Sequence, residues 1–396
     1  MLRFNPARRI LFACCGAHLI QDGLVALQYV LLPILAQAFG LSYTQVGFLR
    51  AVSNTAMATL EIPAGVLAER FGEPRLLIFG LVCAGTGYLG VALANSFYLI
   101  VIGFFIAGAG AAFQHSLASA LIAGNFDIAN RRRSLGIYNS SGDAGKLALT
   151  GIFSLGLGAG LGWNWIVGLL CLITCIFAGI LLPLARQHRR LMVAEHKSDD
   201  SSESGLGWGI RQPEKFTWLG VTVFLDSLAQ SVFLTFIAFL LLDKGAAEGV
   251  AAMAVVLALS GGMIGKFFSG FMAARYGDLK TFRILQFFTV TGFIVLTLLP
   301  VVATLVLLPI IGLAVQGSST VTYGSVSEFV DSKRQSRGYS LIYTLASASA
   351  VFGPFVFGYI ADIFGLDAAM VVLAMVTSLT FITSRVLKKG ISLATS

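Results

Sequence analysis

Three pairs of polar side chains stand one helical turn apart inside otherwise apolar stretches: His18 with Asp22, Asp143 with Lys146, and Asp226 with Gln230. An ionised group in such a setting costs about 2.5–3.5 kcal/mol on membrane-insertion scales, so it is normally kept for a task. Carboxylates held this way exchange protons or counter-ions. Imidazoles add groups that change charge near neutrality, so His18 and His115 are the expected helpers of Asp22, Asp143 and Asp226 in moving a proton.

Around these pairs lie groups suited to gripping a small polar molecule. Gln21 sits beside Asp22, and Asp226 occupies the position matching Gln21 about 205 residues later, so each half of the chain offers one carboxylate at a similar depth. Asn139, Asp143 and Lys146 follow an i, i+4, i+7 spacing, and Asp143 and Lys146 can reach each other across a turn, nearly cancelling their charges. Gln316, Thr320 and Tyr323 repeat that spacing near the other end of the chain, while Gln114, His115, Asn54 and Gln230 complete the expected substrate-binding set. With Arg50 and Lys146 as its cations, that set favours an anionic ligand. Cys171 and Cys175 also share a helix face, yet with no further ligand nearby their expected role is packing, and neither a metal nor a cofactor is expected.

The segments that must position these residues are apolar and long. The chain has 396 residues, 57% hydrophobic and 12% charged, with mean hydropathy +0.85, against about 25% charged in soluble domains. Runs of about 20 apolar residues suffice to cross a bilayer. Twelve are expected, at roughly 10–37, 42–64, 76–94, 97–123, 136–159, 163–185, 216–242, 248–272, 281–299, 301–327, 338–361 and 367–386. The apolar run after Met1–Arg9 is too long for a secretion signal and reads as a retained first span. Residues 1–186 and 215–396 form two six-helix halves, and 187–214, with Ser198-Asp-Asp-Ser-Ser-Glu-Ser204 at its middle, reads as a flexible cytoplasmic linker.

Most of the 27 Lys and Arg residues fall in the N-terminus, the even-to-odd turns, the linker and the C-terminus. By the positive-inside rule both termini are cytoplasmic, and the net charge of +8 reflects topology. The Arg131-Arg-Arg133 run is accordingly a membrane-surface anchor, and no nucleic-acid partner is expected.

A repeated stretch joins the two halves in pattern. Gly65-Val-Leu-Ala-Glu-Arg-Phe-Gly-Glu-Pro-Arg75 recurs as Gly270-Phe-Met-Ala-Ala-Arg-Tyr-Gly-Asp-Leu-Lys280, each after a second apolar span and before a third. Such internal repeats are the usual build of a solute carrier. With this loop motif in a six-plus-six arrangement, the chain resembles the major facilitator superfamily over essentially its whole length.

Within that superfamily three elements look like the fosmidomycin-resistance type of carrier: His18-Leu-Ile-Gln-Asp22, Leu32-Pro33, and Phe39-Gly-Leu-Ser-Tyr-Thr-Gln-Val-Gly47. The Gly108-Ala-Gly-Ala-Ala-Phe-Gln-His115 run is similar to that group's Gly-rich fourth helix, with Ser116 where Pro is usual. Two departures set it apart from drug/proton antiporters: Phe104 stands where span four usually carries Arg, and Gly136–Lys146 replaces a Gly-Pro-rich stretch in span five.

The resemblance implies an all-α membrane protein of the bacterial inner membrane. It would move a small organic solute by alternating access, coupled to protons, and work as a monomer in the lipid bilayer. Gating is expected from Glu61 and Lys266, at matching repeat positions with opposite charge, together with Gly65, Glu69, Arg70, Gly72 and Arg75 in the first loop motif and Gly270, Arg275 and Gly277 in the second. Drug efflux and a non-transporting receptor or assembly factor are the alternatives. No Walker sequence, GxSxG elbow or HExxH pair is present, so neither ATP drive nor an enzyme is expected.

Overall fold

The computed structural model describes residues 6–126, 128–195, 209–330 and 335–387. Apart from one isolated antiparallel bridge between Ile210 and Val330, its regular structure is helical. The chain forms two compact units, Met1–Phe39 with Val52–Ser204 and Gly40–Ala51 with Gly205–Ser396.

The first unit contains α1 (Pro6–Phe39), most of α2 (Tyr43–Phe71), α3 (Glu73–Ala92), α4 (Phe97–Ala111), α5 (His115–Asn125), α6 (Ile128–Gly158) and α7 (Trp163–Glu195). The second holds the opening turns of α2 with α8 (Pro213–Asp243), α9 (Glu248–Tyr276), α10 (Asp278–Leu298), α11 (Val301–Ser325), α12 (Gln335–Phe364), α13 (Leu366–Ser378) and the short α14 (Thr380–Thr383).

Among the described helices, ten stretches are long and apolar enough to cross a membrane, two fewer than the twelve expected spans. α2 and α6 have the length but are diluted by polar residues: Arg50, Asn54 and Glu61 in α2, and Asn139, Asp143 and Lys146 in α6. The helices that carry much of the expected site are thus the ones whose composition fails the apolar criterion.

Three boundaries differ from the sequence expectation. The span expected at 97–123 breaks at Ala112–Gln114, where the amides of Phe113 and Gln114 bond three residues back, to Gly110 and Ala111. The span expected at 367–386 breaks near Leu379 and finishes as a 3-10 turn at Ser384–Leu387. Gln187–Glu195 continues α7 instead of opening the linker, whose middle, 196–208, lies outside the described residues.

Packing inside each unit relies on close backbone approach. A Cβ on Gly145 would stand 1.9 Å from the Leu19 carbonyl oxygen, and one on Gly265 would stand 2.2 Å from that of Leu313. Small residues at these places let α1 and α6, and α9 and α11, touch backbone to backbone. On the outside, Leu169, Leu172, Ile173, Ile176 and Ile180 of α7 are exposed, an apolar stripe suited to lipid and costly in water.

The repeated loop motif takes the same turn twice. Gly72 (φ 80°, ψ 141°) precedes α3 and Gly277 (φ 83°, ψ 154°) precedes α10, a region where a side chain is strained. The preceding Arg70 and Arg275 lie over the rings of Phe71 and Tyr276 at 5.5 and 5.6 Å, a cation–π arrangement. At the opposite end of α10, outside the spans, the Lys244 ammonium donates to the carbonyls of Leu296, Thr297 and Leu299 and closes the helix's C-terminus. Burial pushes that ammonium below its ordinary range, with Asp367 opposing.

Candidate functional site

In the first unit, α1, α5 and α6 bring together five of the expected residues. Asp22 is buried, and its Oδ2 lies 3.0 Å from Lys146 Nζ and 3.4 Å from His18 Nε2, while Oδ1 lies 3.5 Å from His115 Nε2. Lys146 Nζ also donates to Asp143 Oδ1 at 3.1 Å. One ammonium therefore bridges two carboxylates, and either can release it to the other. A bridged cation of this kind is the simplest device for exchanging a counter-ion with a ligand.

Local structure explains the arrangement. His18 and Asp22 share a face of α1 at i, i+4. Gly142 of α6 lies against that face, since a Cβ there would stand 2.5 Å from His18 Nε2 and 2.9 Å from Asp22 Oδ2. His115 is the first residue of α5, placed by the Ala112–Gln114 break, and its side chain remains 46% exposed. Irregular backbone at such depth is characteristic of positions that line a cavity in membrane carriers.

Tyr138, not among the residues expected from the sequence, organises the group. Its carbonyl accepts from His18 Nδ1 at 2.8 Å, its ring stacks on the His18 ring at 4.1 Å, and its hydroxyl lies 3.5 Å from Gln114 Nε2. Tyr138 itself belongs to a buried cluster with Cys14, Phe113 and Leu117. No charge or motif marks it in the sequence; only an aromatic four residues before the Gly142–Lys146 segment hints at it. Asn139, its neighbour, is exposed and takes no part in the group.

The second unit holds a different kind of carboxylate. Asp226 is 2% exposed and accepts three hydrogen bonds, from Gln286 Nε2 (2.5 Å) and Ser318 Oγ (2.7 Å) at Oδ1 and from Gln230 Nε2 (3.1 Å) at Oδ2. All three donors are neutral, and among the described residues no cation forms an ion pair with it. Gln230 was expected from the sequence. Gln286 and Ser318 were not, because a lone amide on α10 and a serine beside Gly317 on α11 carry no spacing signal.

The remaining expected residues are dispersed. Gln316 is buried, with its Nε2 lacking a hydrogen-bond partner among the described residues, and packs at Gly262. Thr320 donates to the Lys266 carbonyl at 3.2 Å, and Tyr323 stacks on Tyr343 at 4.9 Å; these two serve packing in this structure. Arg50 and Asn54 are both buried on α2. Of the gating set, Glu61, Arg70, Arg75, Gly270, Arg275 and Gly277 are exposed and Gly65 and Lys266 half-buried. The Glu69 side chain lies outside the described residues.

A further group went unseen in the sequence. The Asp362 carboxylate of α12 accepts from the backbone amides of Tyr43 and Thr44, each at 2.8 Å, and from the Thr44 hydroxyl, closing the N-terminus of α2. The Tyr43 hydroxyl donates to Asp243 at 3.2 Å. These contacts hold the first turns of α2 within the second unit.

The helical architecture, the membrane-length spans and the buried ionic groups define a carrier-like membrane protein. The sequence profile of the Major Facilitator Superfamily matches residues 14–218 and 219–390, and the chain belongs to that family of membrane transporters.

The chain is similar to the MFS-type transporter YfnC of Bacillus subtilis, itself uncharacterised, at 26% identity over 370 residues, 90% of this chain and 87% of that protein. A shorter stretch of 115 residues is 31% identical to the class G tetracycline resistance protein of Vibrio anguillarum, spanning 28% of this chain and 29% of that one. In fold it is similar to a bacterial homologue of the human lysosomal transporter Spinster, solved in an inward-facing and unoccupied conformation. The TM-score is 0.77 at 15% identity, with 97% of this chain and 98% of the other covered.

Proposed function

We propose that the protein is a proton-coupled secondary carrier of a small organic anion, working as a monomer by alternating access in the bacterial inner membrane with both termini cytoplasmic. The observation that carries this reading is the contrast between its two buried carboxylates. Asp22 is matched by a cation shared with Asp143, whereas Asp226 has only neutral donors. A buried carboxylate without a counter-charge is costly when ionised, and gaining a proton removes that cost. Asp226 is accordingly the main proton-linked group, with Asp22 and Asp143 acting through the exchange of Lys146 and with His18 and His115 assisting. Lys146, released from a carboxylate, is the expected partner of the anionic ligand.

The test is flux into proteoliposomes under an imposed inward proton gradient, with small organic anions as the panel. Asp226→Asn should abolish the coupled pH change while leaving counterflow of the same solute intact. Coupled flux at the wild-type rate in Asp226→Asn, Asp22→Asn and Asp143→Asn alike would defeat the proton assignment.

A second reading, drug efflux of the fosmidomycin-resistance type, draws support from the stretch shared with the tetracycline resistance protein. Against it, Phe104 is fully buried and packs edge-on to Tyr88 at 5.9 Å, an apolar role where drug/proton antiporters usually carry Arg. Unchanged drug susceptibility of a deletion strain would set efflux aside.

A further inference from the structure

His18 presents both ring nitrogens to acceptors. Nδ1 faces the Tyr138 carbonyl at 2.8 Å, which can only accept, so Nδ1 carries hydrogen. Nε2 faces Asp22 Oδ2 at 3.4 Å. A neutral imidazole has a single hydrogen, so in that form the free Nε2 lone pair faces Oδ2, an oxygen that Lys146 Nζ also approaches at 3.0 Å. His115 Nε2 stands on the other oxygen of the same carboxylate.

From this geometry we propose that His18 Nε2, His115 Nε2 and an Asp22 oxygen form a binding site for a borderline divalent cation such as Zn2+, Co2+ or Ni2+. The three ligand atoms lie within 4.8 Å of one another. His18 Nε2 lies 3.4 Å from Oδ2 and His115 Nε2 lies 3.5 Å from Oδ1 of that carboxylate, each close to the ligand–ligand spacing of about 3.4 Å that metal–ligand bonds of about 2.0–2.1 Å require in a tetrahedral site. Two imidazoles and one carboxylate, with a fourth position left open, is a ligand set that such ions accept.

The surroundings fit the same role. The Nδ1–H bond to a backbone carbonyl is the outer-sphere contact that fixes tautomer and ring direction in metal-binding histidines, and stacking on Tyr138 holds the ring plane. Gly142 packs so closely against Nε2 and Oδ2 that any side chain there would collide with both. The half-exposed His115 side chain gives a way in.

The charged groups facing the site are Asp22, Asp143 and Lys146, which with neutral imidazoles sum to one negative charge. Lys146 is the competitor for Asp22, and it keeps Asp143 as a partner when displaced. A metal ion and the proton of the transport reading would compete for the same His18, His115 and Asp22 atoms, so the test reads metal binding directly, without flux.

The test uses the full chain purified in detergent through a tag without histidine, titrated with Co2+ and followed by visible absorption and calorimetry. One equivalent should bind, Zn2+ should displace it, and His18→Ala and His115→Ala should each weaken binding at least about tenfold. Cys171→Ala, which removes the other soft-ligand pair, should leave it unchanged. His115→Ala touches a half-exposed side chain and keeps the test open should His18→Ala fail to fold, as judged by elution profile and circular dichroism. No saturable Co2+ binding, or binding undiminished in the folded His18→Ala/His115→Ala double variant, overturns the proposal and leaves a proton as the species at Nε2.

Discussion

Asp22, Asp143 and Lys146 form a unit whose parts cannot be judged singly. Lys146 is only 28% exposed at its side chain and touches both carboxylates. Removing one partner of a largely buried pair costs about 3–5 kcal/mol, because a buried charge loses its match. Lys146→Met should therefore lower thermal stability sharply in detergent, and Asp22→Asn added to it should recover part of the loss. A double variant no more stable than Lys146→Met would show that Asp22 does not depend on that ammonium. In the second unit the dependence is on neutral donors: Ser318→Ala removes one hydrogen bond to a carboxylate, a contact worth about 1.5–3 kcal/mol when the acceptor is ionised.

Single elements are positioned by contacts that leave little trace in their own sequence. The N-terminus of α2 is closed by Asp362, nearly 320 residues away in the chain, through two amides and a hydroxyl. A carboxylate at a helix start satisfies unpaired N–H groups and complements the helix dipole. Asp362→Ala should cost about 1 kcal/mol, read as a lower unfolding temperature, and Asp362→Asn should cost less because it keeps an acceptor oxygen. The pairing of α1 with α6 rests on Gly145, where an added Cβ would meet the Leu19 carbonyl at 1.9 Å. Gly145→Ala must push the two backbones apart, and the yield of folded protein in size-exclusion chromatography should fall. Normal yield with full thermal stability would mean that α1 and α6 part without cost.

At the scale of the whole molecule, the placement of cations sets the expected topology. A fluorescent protein fused to the C-terminus should fluoresce and an alkaline phosphatase fusion at the same place should stay inactive, the pattern of a cytoplasmic end. The reverse pattern would remove the assignment of both termini and, with it, the expected cytoplasmic linker.

Composition and the duplicated loop motif were enough to read a helical membrane carrier, because a bilayer restricts spanning structure to few solutions and apolar length is visible residue by residue. The His18–Asp22 and Asp143–Lys146 pairs were equally legible, since residues three or four apart on one helix must be neighbours. The structure alone decided what joins one helix to another. It placed Lys146 between two carboxylates, put Tyr138 behind His18, and gathered Gln286 and Ser318 on Asp226. It also broke the fourth span just before His115 and set Asp362 on the start of α2. These partners come from helices distant in the chain, and their meeting depends on packing angles and on glycines that permit close approach, which no spacing along a single segment records.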